Sequence, residues 1–285
     1  KDNLGETLNK GFDIQVRFDV YRDKDWNVSL WGNLNHNRNE ILKISDALRA
    51  YNERVNEKYA AAEDAQGNAN LSKYGTEYSE PEMKYEEGAS LTSIFAVRSL
   101  GIDPMTGNEL FLYRDGSVSS LWKATESVRV GDEEPKASGS FGVNLSYKNL
   151  TLFASFAYDW GKQTYNQTLV DGVENADIEN SNVDRRVLTQ RWQKPGDVAP
   201  LRNIKDMNTS TMPTSRFVQD DNELSLSALT LSYDFNTDWL KKIRLKMLRL
   251  ELSTNDLFRA STVKLERGTS YPFARTFNFS LRATF

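Results

Sequence analysis

A period-two alternation of apolar and polar residues, restarted many times between connections of very unequal length, constrains this chain most. Phe12, Ile14, Val16, Phe18 and Val20 alternate with Asp13, Gln15, Arg17, Asp19 and Tyr21, the pattern of a strand with one apolar and one polar face. The turn Arg22-Asp23-Lys24-Asp25 follows. Trp26, Val28, Leu30 and Leu34 then alternate with Asn27, Ser29, Trp31 and Asn33 to complete a hairpin. Further strands are expected over residues 91–99, 110–113, 138–147, 151–160, 224–235, 243–253 and 273–285. Within 224–235 the apolar phase slips by one residue, which predicts a β-bulge.

About nine strands result, and their connections alternate strictly between short and long. The long ones span approximately residues 35–89, 114–136, 161–223 and 254–272. In an up-and-down meander every second connection lies at the same end, so one rim carries turns and the other carries long loops. Transmembrane β-barrels have this asymmetry. The better strands hold about 9 to 13 residues, against the roughly 9–11 tilted residues that cross a bilayer. The last strand sets Phe277, Phe279, Leu281, Ala283 and Phe285 against Asn278, Ser280, Arg282 and Thr284 and stops on the aromatic. The expected fold class is therefore all-β: about nine strands of an antiparallel up-and-down barrel that need further strands to close, since an open sheet leaves its two edges unpaired in lipid. A soluble extracellular all-β carbohydrate-binding module is the alternative, because alternation alone does not say which face meets which solvent.

One segment departs from the β pattern. Over residues 39–66, Ile41, Ile44, Leu48, Tyr51 and Val55 recur at spacings of three and four, with Gly67 placed to cap the end. An amphipathic helix is expected inside the first long loop, packed on neighbouring loops or turned toward a partner protein.

Composition removes several function classes. The 285 residues include no Cys and a single His, His36, which argues against thiol catalysis, thiolate or His-cluster metal sites and a Ser-His-Asp triad. Lys plus Arg total 36 against 40 Asp plus Glu, a net charge of −4, so no basic stripe invites nucleic acid. No window approaches the roughly 18 apolar residues of a membrane helix.

Several motifs, in order, resemble one family. They are Leu100-Gly101-Ile102-Asp103-Pro104-Met105-Thr106-Gly107-Asn108-Glu109-Leu110-Phe111, Tyr165-Asn166-Gln167-Thr168-Leu169, Asn182-Val183-Asp184-Arg185-Arg186-Val187 with Arg191-Trp192-Gln193-Lys194-Pro195-Gly196-Asp197, Thr214-Ser215-Arg216-Phe217-Val218, and Glu266-Arg267-Gly268-Thr269-Ser270-Tyr271-Pro272. Together they are similar to the C-terminal barrel region of SusC/RagA-type TonB-dependent transporters of Bacteroidota, over essentially the whole chain. The resemblance implies an outer-membrane location, a 22-stranded barrel of which residues 1–285 supply a C-terminal part, a plug domain and a TonB-contacting segment that match nothing here, and a SusD-like lipoprotein over the outer mouth. It also implies coupling to TonB-ExbB-ExbD through the missing N-terminal region and import of oligosaccharide or oligopeptide cargo, without an enzyme's chemistry or a cofactor.

Cargo contacts are expected on the long loops, from aromatic faces and hydrogen-bonding side chains. Trp122, Tyr165, Asn166, Arg191 and Trp192 are the candidates, with structural packing weighed against binding for Trp192. Tyr158 and Trp160 close a strand and read as an interfacial aromatic belt. The acidic runs Glu82, Glu86, Glu87 and Asp132, Glu133, Glu134 lack the spacing of a calcium loop and read as solvated charge. No catalytic residue and no metal ligand is assigned.

Overall fold

The computed structural model describes residues 5–62, 69–70, 78–180, 182–203, 209–235, 240, 242, 244–264 and 275–285. Its main sheet has seven strands: β1 (Gly5–Arg22), β2 (Trp26–Ile44), β3 (Ala137–Tyr147), β4 (Leu150–Tyr165), β5 (Val218–Phe235), β6 (Met247–Ser261) and β7 (Phe277–Thr284). Each strand pairs antiparallel with its neighbour in chain order. The connections after β1, β3 and β5 are the shorter ones, and those after β2, β4 and β6 span 45–136, 166–217 and 262–276. Two of the three shorter connections are tight turns among the described residues. Asp23 Oδ1 accepts from the backbone of Asp25 and Trp26 at 2.8 and 2.7 Å, and Lys148 adopts a positive φ of 51° in the two-residue turn between β3 and β4.

Register turns the sequence alternation into two continuous faces. Tyr21, Val28, Leu145, Leu152, Leu231, Leu252 and Phe279 form one row across all seven strands. Val16, Gly32, Phe141, Phe156, Leu226 and Phe258 form another on the same face. Between such rows, on the opposite face, runs Arg22, Asn27, Ser146, Thr151, Ser232, Glu251 and Ser280. β-Branched and aromatic side chains suit the pleat, and the strict period of two keeps either face from mixing with the other. The expected bulge is present: the β5–β6 register shifts between Leu226 and Ala228, and the extra residue, Ser227, donates its hydroxyl to Ser155 O at 2.9 Å.

Three expectations change in the structure. The sheet holds seven strands among the described residues rather than about nine, because residues 91–99 and 110–113 lie within the first long connection. There Ser93–Ala96 pairs with Val128–Asp132, and Arg98–Ile102 pairs with Glu109–Leu112. These strands are four or five residues long, and all four residues of Ser93–Ala96 are buried, so they are too short to cross a bilayer and lack a face for it. Conversely, β1, β2 and β5 reach 18, 19 and 18 residues. That is well beyond the roughly 9–11 needed to span, and their outer halves stand clear of the apolar rows. Finally, the helix α1 covers Asp46–Ala62, not 39–66. Ile41 and Ile44 belong to β2, whose pairing with β1 runs to Ile44, and Ser45 supplies the cap by accepting from Leu48 N at 3.3 Å. The Gly67 cap and the motif at 266–272 lie outside the described residues.

Packing concentrates in the long connections. Val55 and Tyr59 of α1 join Val97, Phe111, Tyr113, Trp122, Ala124 and Met212 in one apolar cluster, and Val173, Ala176, Val187 and Leu201 form a second. The helix thus packs on neighbouring loops, as one of the two readings of its stripe expected.

Candidate functional site

The motifs that are far apart in sequence converge in this loop layer. Residues 97–99, from the first long connection, lie along 213–215 of the second: Val97 N donates to Pro213 O at 3.2 Å, Ser215 N to Val97 O at 2.9 Å, and Ser99 N to Ser215 Oγ at 2.9 Å. The turn Asp103-Pro104-Met105-Thr106-Gly107 is held by its own aspartate, which accepts from Met105 N at 3.0 Å and from the Thr106 hydroxyl at 2.7 Å. Trp192 closes over that turn. Its indole N–H donates to Pro104 O at 2.8 Å, and its ring lies so close to Gly107 that a Cβ there would sit 2.5 Å from Cε3. Gly107 also has a φ of +77°, so two independent constraints demand glycine.

Below this clamp sits a buried ionic knot. Arg216 Nη2 donates to Glu109 Oε2 at 2.8 Å and to Glu174 Oε1 at 2.6 Å, tying the first long connection to the second. Its Nη1 donates to Pro200 O at 2.7 Å, and its guanidinium lies over the Phe217 ring at 4.4 Å. Arg202 stands 3.7 Å from Glu174, and Arg191 donates to the carbonyls of Val173, Glu174 and Arg202. Burial pushes the Glu174 carboxyl up, but Arg216, Arg202 and Arg191 together pull it further down, so it is held below the usual carboxylate range. Arg216 is held above its usual range, because Glu109 and Glu174 outweigh its own burial. Such a cluster tolerates burial only while every member is present.

The five residues singled out as cargo contacts fall unevenly on this layer. Trp122, Asn166, Arg191 and Trp192 are buried. Trp122 donates its indole N–H to Pro213 O at 2.9 Å. Asn166 accepts from Leu169 N at 3.0 Å and donates to Gln219 and to Lys264 O. Tyr165 is half-buried, meets Phe217 edge-on at 6.0 Å, and with Gln167 lines a cavity of about 170 Å³ that also presents Glu80, Glu82 and Glu133. Tyr158 and Trp160 do not close their strand as expected, because β4 runs on to Tyr165; they lie on its apolar face, and Trp160 is exposed. The acidic runs have local partners. Glu82 pairs with Lys58 at 2.5 Å, Glu87 lies 3.7 Å from Arg49, and Glu134 accepts from Asn37 and Asn39.

Sequence reading missed the knot. Glu109 and Arg216 both lay inside quoted motifs, without a reason to connect them. Glu174 had a weaker signal, a carboxylate directly after Val173 in the stretch Val170-Asp171-Gly172-Val173-Glu174-Asn175-Ala176. On the polar face of the sheet it also left Trp31 out of the candidates; Trp31 stacks on Phe153 at 6.4 Å, and the same face carries the charge pairs Arg249–Asp234 and Arg259–Glu223.

No family model matches the chain. It is 26% identical to TonB-dependent receptor P3 of Formosa agariphila over 99% of its own length and 29% of the relative's. To TonB-dependent receptor P39 of the same organism it is 21% identical over 90% of its length and 27% of the relative's. Among solved structures, the RagAB peptide importer in its "open-open" and "closed-closed" states superposes with a TM-score of 0.67 and 22% identity, over 90% and 93% of this chain and 26% and 27% of the matched chains. The chain thus spans less than a third of the proteins it matches. Its fold is a portion of an antiparallel up-and-down β-barrel, and the resemblance carried by the motifs extends to the whole chain.

Proposed function

We propose that residues 1–285 form the C-terminal wall of a SusC-type TonB-dependent importer in the bacterial outer membrane. The observation that carries this reading is the pair of continuous faces across all seven strands, apolar on one side and polar on the other, combined with long connections gathered at one rim. A barrel so built presents its apolar rows to lipid and its polar rows to a hydrated interior. Relatives described as TonB-dependent receptors and as a peptide importer support transport.

In this reading a SusD-like lipoprotein covers the loop rim, an N-terminal region outside this chain meets TonB-ExbB-ExbD, and the cargo is an oligosaccharide or oligopeptide. Of the five candidates, Tyr165, at the end of β4 rather than on a loop, contacts cargo directly, while Trp122, Asn166, Arg191 and Trp192 act by holding the loop layer in one shape. Purification of the intact protein tests the proposal. It should need detergent, show a heat-modifiable band, and bring down a lipoprotein of the SusD type. A sharp monomeric peak without detergent would instead favour a soluble carbohydrate-binding module.

A further inference from the structure

A second cavity, of about 440 Å³, opens between α1 and the rest of the first long connection, within the ordinary size of small-molecule sites of about 300–1,000 Å³. One face of α1 supplies Arg49, Asn52 and Asn56, spaced by three and four residues so that they stack along the helix. Asn52 fixes the opposite wall. Its Oδ1 accepts from Tyr85 N at 3.0 Å and its Nδ2 donates to Tyr85 O at 2.7 Å, which sets Lys84 against Asn56. Lys84 Nζ donates to Asn56 Oδ1 at 2.6 Å and to Ala124 O at 3.3 Å. Arg114 enters from the third wall, anchored through Nη2 to Ser127 O at 2.5 Å and through its backbone N–H to Glu126 Oε2 at 2.8 Å.

Among the described residues neither Lys84 nor Arg114 forms an ion pair, although both line the same cavity. Burial, and then repulsion from Arg114, brings the Lys84 ammonium down to about 8. The donors left over are one Lys84 N–H, most of the Arg114 guanidinium and the Asn56 amide. Glu86 and Glu87 also line the cavity, and Arg49 stands 3.7 Å from Glu87. Three cations against two carboxylates leave one positive charge, which suits a monoanion better than a dianion.

We infer that this cavity is a receptor for a single carboxylate group, held between Lys84, Arg114 and Asn56. A sugar acid and the C-terminus of a peptide both carry that group. Calling the bound molecule cargo rests on the import reading, but the binding itself does not, so a titration separates failure of one from failure of the other.

The test is calorimetric titration of the intact protein in detergent with galacturonate, with N-acetyl-dialanine, with their neutral counterparts galactose and N-acetyl-dialanine amide, and with inorganic phosphate. At least one carboxylate should bind ten times more tightly than its neutral counterpart, and which one does so identifies the source. Lys84→Gln combined with Arg114→Gln should weaken it at least tenfold. Should that variant misfold, Asn56→Asp sets a built-in carboxylate beside Lys84 and should compete to the same extent. Absence of carboxylate binding, equal binding of the neutral forms, tighter binding of phosphate, or unchanged affinity in a folded variant would each overturn the inference.

Discussion

In the sheet, Phe18, Phe279 and Leu281 are exposed by 62%, 68% and 63%, whereas in the long connections Val97, Val170 and Val173 are exposed by 0%. One chain therefore uses the same kinds of side chain in opposite ways. Across the sheet the apolar residues form a skin that suits hydrocarbon, and the backbone groups between the strands are satisfied by the ladder. In the loop layer water is the solvent, and the apolar residues retreat into two clusters while charged groups close the gaps. The loop layer consequently behaves as a small globular body attached to the rim, rather than as independent strings, and the two regions should fail in different ways.

The largest effect is expected at the ionic knot. Arg216→Ala leaves the Glu109 and Glu174 carboxylates buried with too little compensation, a loss of about 3–5 kcal/mol for breaking such a cluster. The surface loops should become sensitive to protease added to whole cells, while the heat-modifiable barrel persists. Joint loss of both would mean that the two regions are one cooperative unit.

Leu281→Arg attacks the other region. A charge facing lipid costs about 2–4 kcal/mol near the midplane and less toward the interfaces, so the amount of assembled barrel in the membrane fraction should fall sharply. Normal barrel levels would place Leu281 on the hydrated side.

Gly107→Ala is expected to cost about 1–3 kcal/mol, the usual range for a residue forced into a sparsely populated backbone region, and here the new methyl group also meets the Trp192 ring. The damage should stay local, seen as faster cleavage near Lys194 with barrel quantity unchanged. Equal cleavage in variant and parent would show that Trp192 does not clamp this turn.

Acid sharpens the comparison further. The Glu174 carboxyl titrates lower in the folded protein than in an unfolded chain, so its contribution is complete above the ordinary glutamate value of about 4.3 and is lost as pH falls through the folded value. Protease protection of the loops should decline below that pH before the barrel band changes. Loss of protection on raising the pH from 5 to 7 would contradict the assignment.

The smallest change is Arg282→Ala. Arg282 lies on the polar face opposite Arg249, and Arg249 already pairs with Asp234 at 2.5 Å. Barrel quantity should shift by no more than the roughly 0.5 kcal/mol typical of surface substitutions, read from the same heat-modifiable band. A collapse of the barrel would show that the inside and outside faces are reversed.

The sequence alone determined the strands of the main sheet, the presence of a bulge within 224–235, the two faces and the rim that bears the loops, because a period of two is a local property that pairing merely repeats seven times; the apolar phase put the slip after Ala228, and only the pairing with β6 placed the extra residue at Ser227. Its limits lay where contacts are long-range. The stretches at 91–99 and 110–113 carry strand-like residues, but whether such a strand crosses a membrane or pairs inside a loop depends on its length and neighbours. The helix stripe began too early because Ile41 and Ile44 fit a helical spacing and a strand equally well, and only their pairing with β1 decided between them. Trp122, Asn166, Arg191 and Trp192 were legible as chemically capable, yet residue type cannot tell a binding face from a buried hydrogen bond. Tertiary structure decided that, because Glu109, Glu174 and Arg216 meet across 107 residues of chain, and a charge is stable out of water only when the fold has brought its partners to it.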